Sequence, residues 1–346
     1  MPETAREWAA LLLMDTLGIA MAASSMDAGV IAKDTAHALF GASRPEMSAR
    51  MLLDGRKVSL AGAAYAIATQ TDNLDAHDGF NPTKGHIGCA VIPALLALAE
   101  QSSDLTGHDA LGAVIVGYEV AGRAGLGLHG TVQDYHTSGA WNALGVVALG
   151  ARLRGLSAEQ FRHALGIAEY HGPRSQMMRE IANPSMLHDG SGWGAMAGVS
   201  ALVLAEQGFT GAPAITLEAE AVANHWRDLE ERWIITEQYV KPYPICRWAH
   251  APIDGARMLQ AEHGFEHTDI TKLTINTFSE SACLFGEMPK TTSQAQYSLG
   301  FAVAQMLVAG KIGLEQISGK GLSDPRVGAL LSKIEVVESE QHNALF

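Results

Sequence analysis

Long apolar runs with helical spacing, rich in Ala and Gly, dominate the first two thirds of the chain and restrict its fold most strongly. The clearest of these runs cover residues 91–101, 109–124, 140–154 and 194–207. Small residues such as Gly145 and Gly198 recur within them, and small side chains let helix axes approach closely. The pattern therefore predicts a compact helical body with several buried helices.

The pattern changes near Lys241, where the segment KPYPICRW contains two prolines and cannot form a regular helix. Beyond it, alternation typical of β-strands appears at 272–278 and 333–339, with helical runs at 251–263 and 294–309. We therefore predict a mainly α protein, with an all-helical domain over 1–240 and a smaller α+β lid domain over 241–346. The chain ends soon after the second strand, so we expect the lid to be incomplete at its C-terminus.

Charge and cysteine content exclude several classes of protein. The net charge of −13 and the absence of a Lys/Arg-rich run argue against nucleic acid as a partner. The three cysteines are far apart and form no CxxC pair, which argues against a disulfide framework and fits the reducing cytoplasm. We identify no secretion signal and no uninterrupted apolar stretch of the ~20 residues that a membrane span needs.

Four polar clusters could carry chemistry, and the densest is NLDAHDGFNPTKGHIG, which lies between two apolar helices. It holds Asp75, His77 and His86, residue types suited to acid–base catalysis. The helix after it is predicted to start at Gly88, so that its free N–H groups could meet a substrate carboxylate. The alternative is a solvated connection.

The second cluster, VQDYHTSG, contains His136 and Ser138 just before a helix predicted to begin near residue 137 or 138. The dipole at a helix N-terminus disfavours a charged histidine, so His136 is a candidate base. A surface loop is the alternative. The third cluster, PSMLHDGSGWGAMAG, places His188 and Asp189 where they could face a pocket, although its glycines are better explained by close helix packing.

The fourth cluster is the Pro-bracketed segment KPYPICRWAH, which presents Lys241, Tyr243, Cys246 and Arg247. A rigid segment with two cations suits an anion site, and Arg247 could bind a carboxylate through two hydrogen bonds. An interdomain linker is the alternative.

Three other motifs carry little weight. GLGLHG has the spacing of a dinucleotide-binding loop, but it follows a helical run and no βαβ unit surrounds it. His77 and His86 could be imagined as metal ligands, but nine residues of Gly/Pro loop separate them, which is not a specific metal-binding spacing. An iron–sulfur cluster usually needs more closely spaced cysteines.

Taken together, the clusters resemble the MmgE/PrpD family, which includes 2-methylcitrate dehydratase, cis-aconitate decarboxylase and iminodisuccinate epimerase. The resemblance runs nearly end to end, through segments that include LDAHDGFNPTKGHIGCAVIPALLALAE, VGYEVAGR, YHTSGAWNALGVVALGARLRGLS and KPYPICRWAHAPID. It implies a helical domain with an α+β lid, a homodimer, and no cofactor or metal.

The resemblance also assigns residues. It implies Asp75, His86, His136 and Lys241 as catalytic residues, which we expect to converge on one pocket between the domains. We predict that His77, Ser138, His188, Tyr243, Cys246 and Arg247 bind the substrate. The decarboxylase branch has a histidine where this chain has Cys246 and a lysine where it has Met186. Many dehydratase-like members have a lysine at the position of His188.

The predicted activity is dehydration of a small hydroxy-polycarboxylate such as 2-methylcitrate, as in propionate metabolism, by proton removal next to a carboxylate. Return of the proton to the other face would instead make the protein an epimerase of an iminodisuccinate-like dicarboxylate. A catalytically inactive helical binding protein and a metal- or cluster-dependent hydratase are alternatives from other classes.

Overall fold

The computed structural model describes residues 1–345, which divide into two compact units. The first unit comprises 1–177 and 188–240, and the second comprises 178–187 and the described residues from 241 to 345. Most elements are helices, as the sequence predicts, and the only strands in the described chain form two separate pairs.

The first unit is a bundle of helices around one apolar core. Its helices are α1 (Glu3–Ala22), α2 (Asp27–Leu39), α3 (Leu60–Asp72), α4 (Gly88–Ala99), α5 (Gly107–His129), α6 (Gly139–Arg154), α7 (Ala158–His171), α9 (Ser191–Glu206) and α10 (Ile215–Glu218), and α8 (Met177–Ala182) crosses into the second unit. Helices α3 and α7 begin with a side-chain cap. The Ser59 hydroxyl accepts the Gly62 N–H at the start of α3, and Ser157 with Gln160 forms the capping box of α7.

Helix α6 runs through the core, and every residue from Gly139 to Ala151 is buried. Glycines let its neighbours approach: a Cβ on Gly145 would lie 2.5 Å from the Gly117 carbonyl oxygen of α5. On another side, a Cβ on Gly194 of α9 would lie 2.5 Å from the carbonyl oxygen of Gly139. The close helix packing predicted from the small residues is therefore confirmed.

A short antiparallel pair in the first unit was not predicted, because each strand has only three residues. Strand β1 (Ser48–Arg50) pairs with β2 (Lys57–Ser59), with Ala49 opposite Val58. Both central residues are fully buried and belong to the apolar core of the helical unit.

The second unit is α+β. Its elements are α11 (His250–His263), β3 (Leu273–Thr277), α12 (Ser279–Ala282), α13 (Thr292–Gln296), α14 (Leu299–Ala309), α15 (Leu314–Ile317), α16 (Pro325–Leu331), β4 (Ile334–Glu338) and α17 (Glu340–Asn343). Both predicted strands are present, and they pair in parallel with Ile275 opposite Val336. The helix predicted over 294–309 is interrupted, because the Ser298 hydroxyl caps a new helix at Leu299.

Two segments, Glu3–Ser25 and Gly107–His129, are long and apolar enough to cross a membrane by length and composition alone. In Gly107–His129, 78% of the most apolar window is buried inside the protein, and in Glu3–Ser25 the share is 33%. The burial of Gly107–His129 is what the core helix of a helical bundle shows.

Candidate active site

The loop between α3 and α4 brings three of the predicted site residues together. Asp75, His77 and His86 are all buried, and one ligand atom from each lies within 4.8 Å of the others. The imidazole rings of His77 and His86 meet edge to face, with their centroids 4.5 Å apart. The loop is therefore a buried polar group between two core helices rather than a solvated connection.

The tautomer of His86 follows from its hydrogen bond to the backbone. Its Nδ1 atom lies 2.8 Å from the carbonyl oxygen of Asp78. A carbonyl oxygen only accepts, so Nδ1 carries a proton and Nε2 is the ring atom that exchanges one. Nε2 lies 3.8 Å from Oδ2 of Asp189, so a carboxylate oxygen faces this ring atom.

Ser138 connects His86 to Asp189. Its Oγ accepts the backbone N–H of His86 at 3.0 Å and donates to Oδ1 of Asp189 at 2.6 Å. All three side chains are buried. Asp189 is thus part of the site, whereas the sequence only suggested that it could face a pocket.

His136 lies on a loop that runs beside the loop of His86. The Tyr135 hydroxyl donates to the carbonyl of Lys84, and Ser138 contacts His86 as described. His136 Nδ1 lies 2.8 Å from the carbonyl oxygen of Asp134, so this ring also carries its proton on Nδ1 and presents Nε2.

The environment of His136 differs in one respect from the prediction. Helix α6 begins at Gly139 with Ser138 as its N-cap, so His136 lies outside the first helical turn, where the dipole acts most strongly. The neighbouring His129 instead accepts the His136 backbone N–H at 3.2 Å. Burial lowers the pKa of His129 to about 4, and the electrostatic effects of His136 and Lys84 lower it in the same direction. The His129 ring is therefore neutral at pH 7.

The N-terminus of α4 is occupied by the protein itself, which overturns the expectation that it receives a substrate carboxylate. A Cβ on Gly88 would collide with Oδ1 of Asp78 and with the Tyr118 hydroxyl. Burial, together with the nearby Asp15, raises the pKa of Asp78 to about 7, and burial raises that of Asp15 to about 6. The first turn of α4 is therefore packed against a buried, partly protonated carboxyl group.

Two residues beside the site adopt left-handed backbone conformations without being glycine. Lys84 has a φ of 52° and His188 has a φ of 46°. Such residues cost about 1–3 kcal/mol of backbone strain and concentrate at functional sites. His188 is buried directly before Asp189, while Lys84 is exposed two residues before His86.

Three further residues at this site were missed in the sequence. Asp72 ends α3, Cys89 lies in the first turn of α4, and Ser191 begins α9. The Ser191 backbone N–H donates to Oδ2 of Asp72 at 3.0 Å, and its hydroxyl lies 3.1 Å from Sγ of Cys89. Burial first, and then Asp189, raises the pKa of Asp72 well above its usual range, while burial and Asp72 do the same for Cys89.

The remaining predicted residues lie together in the second unit, within seven positions of one another. Lys241, Tyr243 and Cys246 are buried and Arg247 is exposed. The Tyr243 hydroxyl donates to Oδ1 of Asp254 at 2.7 Å, and the Cys246 N–H donates to the Gln296 carbonyl at 2.8 Å. These contacts fix the Pro-bracketed segment locally, as its two prolines predict.

Comparison with known proteins gives the same family as the sequence motifs. The model of the MmgE/PrpD N-terminal domain matches residues 1–227, and that of the MmgE/PrpD C-terminal domain matches residues 243–346. The chain therefore belongs to the MmgE/PrpD family.

The curated relatives carry decarboxylase names. Cis-aconitate decarboxylase of Homo sapiens is 28% identical over 79% of this chain and 60% of its own length. Cis-aconitate decarboxylase of Aspergillus terreus is 26% identical over 86% of this chain and 67% of its own length. Cis-aconitate decarboxylase-like protein oryM of Aspergillus oryzae is 22% identical over 79% of this chain and 63% of its own length. The chain thus spans about two thirds or less of the length of these relatives.

Proposed function

We propose that the protein is a lyase that acts on a small polycarboxylate by moving a proton at the carbon next to a carboxylate. The observation that carries this proposal is that the imidazole rings of His86 and His136 are held by the same kind of hydrogen bond. Both rings have Nδ1 bonded to a backbone carbonyl and present Nε2, and their loops run side by side. An acid and a base with fixed tautomers are what proton transfer at carbon requires.

In the proposed reaction, Nε2 of His136 removes the proton, and the C–H electron pair moves onto the carbon next to the carboxylate. His86, held as an imidazolium by Asp189, donates a proton to the β-hydroxyl as the C–O bond breaks. Water leaves and a double bond forms, so atoms and charge balance. Lys241 binds a substrate carboxylate and stabilises the developing charge, and Asp75 orients the neighbouring histidines.

Decarboxylation is a second candidate, favoured by the names of the relatives. In that reaction the bond to a carboxylate carbon breaks, carbon dioxide leaves, and a histidine protonates the carbon that retains the electron pair. Cys246 and Met186 stand where the decarboxylase branch has a histidine and a lysine, so we place dehydration first. Epimerisation of an iminodisuccinate-like dicarboxylate would need only the proton-removal step.

We extend the proposal to binding and assembly. His77, Ser138, His188, Tyr243, Cys246 and Arg247 are the proposed substrate-binding residues. A homodimer in the cytoplasm is the proposed state of the protein.

The test is a screen of di- and tricarboxylic acids in deuterated buffer, followed by proton NMR. The panel includes 2-methylcitrate, cis-aconitate and iminodisuccinate. Exchange with loss of water supports dehydration, evolution of carbon dioxide supports decarboxylation, and exchange alone supports epimerisation. If no acid exchanges or reacts while one of them raises the melting temperature, the protein is a binding protein and the proposal fails.

A further inference from the structure

The hydrogen bond that fixes the His86 ring is made with a residue eight positions earlier in the same loop. Nδ1 of His86 donates to the carbonyl oxygen of Asp78 at 2.8 Å. The loop folds back between the two residues, because the Phe80 N–H donates to the carbonyl oxygen of Gly85 at 2.8 Å. The orientation of the His86 ring therefore depends on where the Asp78 carbonyl group is held.

Two contacts hold the Asp78 carbonyl group in place. The Gly79 N–H, which belongs to the same peptide group, donates to the carbonyl oxygen of Tyr239 at 3.0 Å. The Asp78 side chain is fully buried, and its Oδ1 lies against Gly88, where an added Cβ would collide with it. Only a residue without a side chain at the first position of α4 leaves room for this carboxyl group.

Residues of α1 and α5 enclose the same carboxyl group. A Cβ on Gly88 would also collide with the Tyr118 hydroxyl of α5, and it would lie 3.0 Å from Oγ1 of Thr16 in α1. Tyr118 and Thr16 are buried, and neither carboxyl oxygen of Asp78 makes a hydrogen bond of normal geometry to the described residues. Close packing beside three helices therefore holds the carboxyl group in place.

The protonation state of Asp78 fits this packing. Burial first, and then Asp15, raises the pKa of Asp78 to about 7, while the Gly88 N–H and the Tyr118 hydroxyl act in the opposite direction. A carboxyl group with this pKa is largely neutral below pH 7 and needs no buried cation. An amide of the same shape should therefore be able to take its place.

We propose that Asp78 is a positioning residue for His86. Its carboxyl group, packed against Gly88, holds the Asp78 carbonyl oxygen on Nδ1 of His86 and so keeps Nε2 as the ring atom that exchanges protons. The inference rests on the proposed role of His86 as the acid. Asp78 acts through the ring and needs no contact with the substrate. If its carbonyl oxygen moved away, the proton could occupy either ring nitrogen.

The first experiment locates the proton on the His86 ring without any substrate. NMR of the full chain with isotope-labelled histidines reports which ring nitrogen carries the proton, and His86→Gln assigns the signal. Gly88→Ala places a methyl group where the Asp78 carboxyl lies, so we expect a mixture of the two tautomers instead of the Nδ1-protonated form. The matched control is Gly107→Ala, at the first residue of α5, where a Cβ would meet nothing within 4 Å.

Two substitutions of Asp78 separate positioning from stability. Asp78→Ala removes the carboxyl group and makes space, so it answers the question if Gly88→Ala does not fold. Asp78→Asn keeps the shape of the side chain and should keep the proton on Nδ1 of His86. A purely structural role would lower the melting temperature of Gly88→Ala and Asp78→Ala while the proton stayed on Nδ1. That result, or a wild-type ring with its proton on Nε2, would overturn the proposal.

The second experiment measures turnover of the substrate that the carboxylic-acid screen identifies. Asp78→Ala should lower kcat by about 10²-fold, the loss typical of a catalytic group misplaced by about 1 Å, and leave KM nearly unchanged. Asp78→Asn should regain most of the lost rate. A loss confined to KM contradicts the positioning of an acid. If the screen finds no substrate, the lyase proposal fails, whereas the NMR measurement still decides the role of Asp78.

Discussion

The hydroxyl of Ser138 accepts the backbone N–H of His86 at 3.0 Å, although 52 residues separate the two in sequence. The same hydroxyl donates to Asp189, whose other oxygen faces the His86 ring at 3.8 Å. One small side chain thus fixes both the backbone of the candidate acid and the carboxylate that faces its ring.

The first prediction follows from this link. Ser138→Ala leaves a buried N–H and a buried carboxylate oxygen without their shared partner, which typically costs about 1–3 kcal/mol. We expect the free energy of urea unfolding to fall by that amount, and the rate of substrate deuterium exchange to fall with it. Ser103→Ala, at an exposed hydroxyl, is the matched control and should change neither quantity. A stable Ser138→Ala protein with full exchange would show that the link is incidental.

The helical architecture could be predicted because it depends on local patterns. Ser59 and Ser157 are caps that act within three residues, and the glycines of α6 predict close helix packing because they have no side chain. The interruption before Leu299 could not be foreseen, because the apolar run continues through it and only the cap at Ser298 marks the break.

The candidate site was predictable to a lesser extent. Asp75, His77 and His86 share one loop, so their proximity follows from sequence. Asp72, Cys89 and Asp189 join them only through the packing of α3, α4 and α9, which no local motif encodes. The filled N-terminus of α4 could not be predicted for the same reason, because the Asp78 side chain reaches Gly88 only through the fold of the loop.

The second prediction concerns pH and stability. Burial raises the pKa of Asp15 from 3.8 to about 6, so the folded state holds this proton more tightly than the unfolded state does. Stability is therefore lost as pH rises from about 4 through about 6, and the cost persists above that range. Asp15→Asn removes the ionisation, so the variant should be more stable than wild type at pH 7.5 and lose this advantage at pH 4.

Because Asp15 is partly exposed, we expect a gain of only about 1 kcal/mol at pH 7.5. The measurement is urea unfolding across the pH range. Asp104→Asn, at an exposed carboxylate, is the control and should show no such trend. An Asp15→Asn protein that is equally stabilised at both pH values would mean that packing, not ionisation, is responsible.

The third prediction concerns a buried ion pair in the first unit. Arg123 is fully buried and pairs with Glu119, while its guanidinium also donates to Asp228 at 3.0 Å. Arg123→Met leaves Glu119 buried without its cation, which should cost about 3–5 kcal/mol of unfolding free energy. Arg326→Met, at an exposed pair, should leave the free energy of unfolding almost unchanged in the same urea titration.

A double variant separates charge from packing at this pair. Glu119→Leu in the Arg123→Met background removes the stranded carboxylate, and it should recover part of the lost stability. If the double variant is less stable than Arg123→Met, the arginine stabilises the protein through its packing rather than through its charge.

The fourth prediction separates the candidate base from the candidate substrate-binding cation. His136 presents Nε2 with its proton fixed on Nδ1, whereas Lys241 lies in the Pro-bracketed segment of the second unit. His136→Gln should therefore lower kcat by about 10²–10⁴, the range typical of a general base, with little change in KM. Lys241→Ala should mainly raise KM, because a bound carboxylate loses its cation in the ground state as well as in the transition state. His171→Gln, at an exposed histidine of α7, should leave both constants unchanged.

The decisive comparison is between the change in kcat and the change in KM for His136→Gln and Lys241→Ala, measured over a range of substrate concentrations. If both variants lose a similar, small factor, then His136 lies on a solvated loop, and the base that removes the proton has to be sought among the buried residues around His86.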